Sequence, residues 1–375
     1  MTNVATVCLL SSLTVVFLLL QWPNEANPDE WNAFSDEEVE HSFSWMSMLR
    51  RILLLLLTVI GGPLALMVLQ QRQILYRPEV ARMRVSRGQK SKPMSWGLEH
   101  EEFFLSSRDG TKLHTWLLYS QREAKAPRPA VLFFHSNAGD IPQRLDFFSR
   151  LCRHLDVVIL AMEYRGFGRS DDAEMSEESF VEDAACAYQW LVNYASRETS
   201  GVDPQQLYLF GRSLGGCVAV RLVTHLLGMD PAARSPPQPL ELSKARLPLP
   251  AGILIENSPS SIADVATHLM PFLKCLPKRI LAWPVLLDEW RSNDWLDWIG
   301  QTLSKEQRSL RLCLLSAVHD KVVPVSCMEE LFRVGQKHQS LDVSFHSFQR
   351  GEHMSTYLLA GERYWQALRI FLQRE

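Results

Sequence analysis

Residues 207–227 constrain this chain most: the apolar run LYLF leads directly into Gly211-Arg212-Ser213-Leu214-Gly215-Gly216 and then into CVAVRLVTHLL. The first run has the length of a buried strand and the last the length of a helix, so the serine sits on a strand-to-helix turn. So sharp a turn leaves little room for side chains two residues to either side, where Gly211 and Gly215 stand. It exposes the Ser213 hydroxyl and places the Leu214 N–H at a helix N-terminus, turned toward any negative charge that develops there. A strand feeding straight into a helix also argues for a parallel sheet, whose neighbouring strands need crossover connections.

The rest of the chain fits such a sheet. Apolar or alternating runs predict strands at 101–105, 113–119, 130–134, 157–162, 207–210, 252–255, 312–316 and 343–348. Helical spacing recurs at 177–194, 214–227, 328–334 and 362–372. A hairpin followed by β-α alternation predicts an α/β fold with a doubly wound, mostly parallel sheet. Two segments interrupt it. Residues 228–250 are proline-rich and read as a surface loop. Residues 258–310 carry Trp283, Trp290, Trp295 and Trp298 and read as a helical insertion over the strand ends, either lining a ligand entrance or packing on the sheet.

A serine hydroxyl is a weak nucleophile and needs a base, which in turn needs an orienting acid. On this kind of turn the acid and then the histidine come after the serine in the chain. Asp320 succeeds a strand in LLSAVHDKVVP, whereas Asp294 and Asp297 lie in the tryptophan-rich segment with no strand before them. Among the later histidines, His338 precedes the last strand and His346 lies within it. His353, in GEHM, opens the loop before the terminal helix and can reach the serine from there. A second donor to a developing oxyanion should come from the loop after the third strand, FHSNAGD, with the Asn137 N–H as the candidate and His135 as a turn residue. Seven scattered cysteines contain no C-x-x-C pair, so buried reduced thiols are expected, and no metal or cofactor is implied. A net charge of −3 gives no reason to expect a nucleic-acid partner.

The N-terminal part concerns a bilayer. Residues 52–69 form an uncharged apolar run with Arg50 and Arg51 before it, long enough for a transmembrane helix. A second apolar run, 4–20, lies within an extension, 1–48, whose link is acidic; it is either the first half of a two-helix anchor or not part of the translated chain. Residues 70–97 read as a basic juxtamembrane linker, which favours the cytosolic side for the catalytic domain at 98–375.

In order along the chain, QILYRP, FFHSNAGD, EYRGFGRS, LFGRSLGG, IENSPSSI, HDKVVP and GEHMSTY resemble the membrane-anchored serine hydrolases of the α/β-hydrolase superfamily, from about Gln73 to the C-terminus. The resemblance implies the α/β-hydrolase fold, Ser213 as nucleophile, Asp320 as acid, His353 as base, and Asn137 and Leu214 as oxyanion donors. Two positions depart from the pattern: Ser136 where glycine is usual and Glu163 where aspartate is common. If position 136 required a positive φ, its serine would cost about 1 kcal/mol. Such relatives act on acyl chains as lysophospholipases or protein depalmitoylases, so an acyl lipid or acylated protein is the expected substrate. A serine peptidase of the same fold and a catalytically silent membrane scaffold are the alternatives.

Overall fold

The computed structural model describes residues 45, 47–55, 62, 68–78, 92–120, 126–236, 247–275 and 286–373. Eight strands form one sheet: β1 (Leu98–Ser106), β2 (Lys112–Ser120), β3 (Arg128–Phe134), β4 (Val158–Met162), β5 (Val202–Arg212), β6 (Gly252–Glu256), β7 (Leu310–Ala317) and β8 (Leu341–Phe348). Their spatial order is β1-β2-β4-β3-β5-β6-β7-β8. The opening hairpin and the β2–β4 pair are antiparallel, and every other pairing is parallel. All eight strands overlap the runs read from sequence.

The helices lie on both faces: α1 (Leu145–Leu155), α2 (Glu177–Ala195), α3 (Leu214–Leu226), α4 (Ile262–Leu269), α5 (Ser292–Lys305), α6 (Val325–Gly335) and α7 (Glu362–Gln373). Strand periodicity decides which core each residue joins. Leu132 and Phe134 of β3 pack with the residues of α2, α3, α5 and α6. Val131 and Phe133 turn to the other face, among Phe147 and Leu151 of α1 and Leu368 of α7.

Helices α4 and α5 lie in the segment 258–310 that reads as a helical insertion, and α1 falls in a segment that the strand pattern leaves as a connection. The structure decides between the two readings of the tryptophans in favour of packing. Trp290 and Trp295 are fully buried and Trp298 is 3% exposed, all within the core beneath α3. The Arg221 guanidinium lies 4.1 Å over the Trp295 ring. A parallel sheet needs a crossover between β6 and β7, and an indole buries more apolar area than most side chains, so these rings fill that layer and do not line an entrance. Trp283 lies outside the described residues.

The chain divides into two compact units, Leu75–Trp283 with Asp288–Glu375, and Met1–Ile74 with Pro284–Leu287. The sheet-bearing unit reaches back to Leu75, beyond the position 98 that strand patterning marks, because the Tyr76 ring is buried in the core against Phe180. In the other unit, residues 47–50 and 51–55 are helical, with Leu49, Ile52, Leu53 and Leu55 exposed. The apolar run 4–20 and its acidic link lie outside the described residues, and the run 52–69 is described only at 52–55, 62 and 68–69. Among the described residues no helix is long and apolar enough to cross a membrane.

Candidate active site

Ser213 joins β5 to α3 with φ 55° and ψ −123°, a region that non-glycine residues rarely occupy and that costs about 1–3 kcal/mol. Its backbone is held there: the Ser213 N–H donates to the Glu256 carbonyl (2.8 Å) and its carbonyl accepts from the Gly216 N–H (2.9 Å). The flanking glycines are sterically required. A Cβ on Gly211 would stand 2.1 Å from the Gly215 carbonyl oxygen, and one on Gly215 would stand 2.1 Å from that of Phe134. The second clash shows how closely the loop after β3 lies against the first turn of α3.

The Ser213 hydroxyl donates to His353 Nε2 at 3.0 Å, and His353 Nδ1 donates to Asp320 Oδ2 at 2.7 Å. Asp320 lies just past β7, where its Oδ1 accepts the N–H groups of Val322 (2.8 Å) and Val323 (3.0 Å), leaving Oδ2 for the imidazole. Ser213 and Asp320 are both buried. The structure therefore brings the three residues into one hydrogen-bonded chain. The alternatives lie elsewhere. His338 Nε2 pairs with Asp297 at 2.9 Å, Asp294 pairs with Arg291, and His346 stands on β8.

Sequence reasoning passed over the residue that holds this geometry. Asn257, just past β6 at φ 48°, donates through Nδ2 to the His353 carbonyl (3.1 Å) and to Thr356 Oγ1 (2.9 Å). Its Oδ1 accepts the Ala317 N–H at 2.8 Å, so one amide ties the histidine loop to the end of β7. The available signal was an asparagine in IENSPSSI at a strand end, a residue that tolerates left-handed backbone. Under the elbow, Glu256 Oε2 accepts from Arg212 Nε and Nη2 and from the Tyr364 hydroxyl (3.0, 2.8 and 2.9 Å), and the Arg212 guanidinium lies 4.2 Å over the Phe147 ring.

Of the two oxyanion candidates, the Leu214 N–H is at the first position of α3, where a helix has no internal acceptor. Asn137 is held by two bonds: its carbonyl accepts the Arg77 N–H and its Nδ2 donates to the Leu75 carbonyl, both at 2.8 Å. Among the described residues nothing accepts from the Asn137 N–H. The neighbouring His135 is buried, with Nδ1 donating to the Ser136 carbonyl at 2.7 Å; burial, then the nearby Arg144, lowers its pKa to about 3. It is a neutral structural residue.

Neither departure from the pattern strains the site. Ser136 is absent from the positive-φ residues, and its hydroxyl accepts from Arg144 Nη2 at 2.9 Å. Glu163 receives the N–H groups of Ile141 (3.2 Å) and Arg169 (2.7 Å) and contacts His114 Nδ1 at 2.7 Å. Its carboxylate occupies the space a Cβ on Gly168 would need, 2.1 Å away.

The five described cysteines with defined surroundings are free, and burial pushes the thiols of Cys152, Cys217 and Cys313 up to about 12. Among the described residues no group of three His, Cys, Asp or Glu side chains is placed to hold a metal ion. A cavity of about 680 Å³ lies between α5 and α6, lined by charged residues such as Arg291, Asp297 and Lys337, and it shares no residue with the Ser213 site.

The α/β-hydrolase domain-containing protein WAV2 of Arabidopsis thaliana is 28% identical over 323 residues, 84% of this chain and 91% of that protein. A lysophosphatidylserine lipase of Danio rerio is 28% identical over 153 residues, 36% of this chain and 38% of the lipase. Among solved structures, carboxyl esterase 2 of the mycorrhizal fungus Tuber melanosporum superposes with a TM-score of 0.54 at 14% identity, covering 78% of this chain and 96% of the esterase. No family model matches the chain. The likeness to the esterase concerns the fold, and the likeness to WAV2 runs along most of both chains; with the sheet order and the elbow they agree on one conclusion, that the chain has the α/β-hydrolase fold and is similar to an α/β-hydrolase domain-containing protein along most of its length.

Proposed function

We propose that this protein is a serine hydrolase that cleaves ester or thioester bonds of lipid-like acyl groups. The hydrogen-bonded chain from Asp320 through His353 to Ser213 carries this reading. In it, His353 Nε2 takes the hydroxyl proton as Ser213 Oγ attacks the carbonyl carbon, and Asp320 stabilises the imidazolium. The tetrahedral oxygen accepts from the N–H groups of Leu214 and Asn137. Collapse expels the alcohol or thiol, which takes the proton from His353, and leaves an acyl-serine. Water, deprotonated by His353, then releases the acid and restores the hydroxyl.

The acyl preference and the membrane location rest on separate support. Residues 52–69 meet the length for a bilayer-spanning helix, and we assign the anchor there, with the basic residues after it favouring a cytosolic active site. The partial likeness to a lysophosphatidylserine lipase supports an acyl lipid. The tryptophans of 290–298 contribute nothing to this preference, since they lie in the core.

Two measurements test the proposal. A fluorophosphonate probe should label the wild-type protein and fail to label Ser213→Ala; equal labelling of both would remove the nucleophile. A series of p-nitrophenyl esters from two to sixteen carbons should favour long chains, because each buried methylene contributes about 0.8 kcal/mol until the pocket ends. A profile peaking at two to four carbons would exclude the lipid-acyl part and keep the hydrolase.

A further inference from the structure

We infer that Leu75, Tyr76 and Arg77, just after the apolar run and its short polar link, are a positioning element of the oxyanion site. The inference rests on the serine-hydrolase reading, because it concerns the donor that reading assigns to Asn137.

Three observations carry it. First, the segment grips Asn137 on two sides: the Arg77 N–H donates to its carbonyl and its side-chain amide donates to the Leu75 carbonyl, both at 2.8 Å. Arg77 and Ala138 form a parallel β-bridge, so the contact is backbone pairing and not a chance touch of side chains. With the carbonyl and side chain both engaged, the orientation of the residue is fixed, and its N–H is the group left without an acceptor among the described residues. Second, the segment is itself seated firmly. Tyr76 is 1% exposed, its ring lies 4.8 Å from Phe180, and its hydroxyl accepts from Trp290 Nε1 at 3.1 Å. Third, the loop it grips is in contact with the elbow, since the Phe134 carbonyl occupies the space beside Gly215.

The physical consequence concerns the transition state. An oxyanion donor is effective only if it already points at the place where charge develops; a donor that must reorient loses most of its value. The loop 135–140 contains no helix or strand residue of its own beyond the Ala138 bridge, so its shape depends on what is packed against it. Leu75–Arg77 supplies that support from outside the strand-and-helix alternation. The segment is thus required for turnover although the bonds by which it holds the loop go to Asn137 and not to a triad side chain.

The test uses the full chain with p-nitrophenyl octanoate as substrate and an alkyl trifluoromethyl ketone as probe. The ketone accepts Ser213 Oγ at its carbonyl carbon, the hydroxyl proton passes to His353, and the resulting oxyanion needs the same donors as the reaction. Asn137→Ala keeps the backbone N–H and removes only the bond to Leu75; Tyr76→Ala unseats the segment; Tyr76→Phe keeps the ring. Both alanine variants should lose about tenfold to a hundredfold in kcat, short of the roughly 10²–10³ lost when a donor is removed outright, with KM within about twofold. Ketone affinity should fall by the same factor as kcat/KM, and Tyr76→Phe should stay near wild type. A purely structural role would lower the unfolding temperature without that matched loss. Folded alanine variants with wild-type kcat, or with ketone affinity unchanged, would overturn the inference. If Tyr76→Ala does not fold, Asn137→Ala decides alone. A wild-type chain that neither hydrolyses the ester nor binds the ketone would instead overturn the serine-hydrolase reading itself.

Discussion

The elbow at Ser213 and the loop at Asn137 lie against one another, yet they are built in opposite ways. The elbow takes most of its shape from residues adjacent in sequence: Gly211 and Gly215 admit the turn and α3 starts at once, with the Glu256 carbonyl as the one distant hold on the Ser213 N–H. The loop takes its shape from distant residues, with Leu75 62 positions away from Asn137 and Glu163 22 positions away from Ile141. The proposed nucleophile can therefore be encoded largely locally, whereas the donor proposed to meet it is placed by tertiary contacts.

The comparison breaks most visibly at the acid. Asp320→Asn should leave the fold intact and cut turnover by about 10⁴, the effect seen when an orienting aspartate loses its charge in a serine protease. If Asp297→Asn produced that loss and Asp320→Asn did not, the acid would lie with His338 and the site would need rebuilding.

Gly215→Ala addresses the seam between the two regions. Its methyl would meet the Phe134 carbonyl, which is backbone and cannot swing away, so the loop must move off the elbow. We expect a loss of about 10²–10³ in kcat, the scale of one missing oxyanion donor, with a destabilisation of about 1–3 kcal/mol from overpacking. Wild-type turnover in this variant would show that the loop contributes no donor.

Asn257→Ala tests whether the triad side also depends on a distant tie. Removing the amide frees the histidine loop from β7, and we expect about a tenfold fall in kcat with a stability cost of about 1–2 kcal/mol. The expected signature is a shifted pH profile for turnover that Asn257→Asp partly restores. A variant with unchanged kcat would leave the triad held by local structure alone.

A smaller effect is expected beneath the loop. Burial would lower the His114 pKa, but Glu163 and Glu102 on its two ring nitrogens outweigh it and raise the pKa above the ordinary histidine value. A raised folded pKa means the folded state binds the proton more tightly. That stabilisation is complete below the unfolded value of about 6.5 and is lost as pH rises through the folded pKa. The gap in melting temperature between wild type and His114→Gln should be widest at acid pH and should close as pH rises through the raised histidine pKa. A gap that is flat or widens with pH would contradict the ion-pair account. Asp297→Asn, the smallest change, should keep activity within about twofold, since its side-chain partners are His338 and Gln301 and no triad residue.

The strands and the chemical groups were the legible part of this molecule. Period-2 alternation and apolar runs marked all eight strands, and G-x-S-x-G, HDKVVP and GEHM each stand beside the strand end that presents their residue. Such patterns are local: a turn that admits only glycine, or a strand with one face to each core, leaves its mark within a few residues. The tryptophans of 290–298 were not legible, because an aromatic residue in an unassigned segment reads alike whether it lines an entrance or fills a crossover layer.

By itself, then, the sequence determined a parallel α/β sheet with a serine on its sharpest turn and an acid and a histidine on later strand ends. Only the tertiary structure decided that Asp320, His353 and Ser213 lie within hydrogen-bond reach, that Asn257 braces them, and that Tyr76 belongs to the core and carries its neighbours onto Asn137. The physical reason is range. Propensity and steric exclusion act over a few residues, while a hydrogen bond between residues 62 or 140 positions apart exists only once the packing of the whole sheet has brought them together.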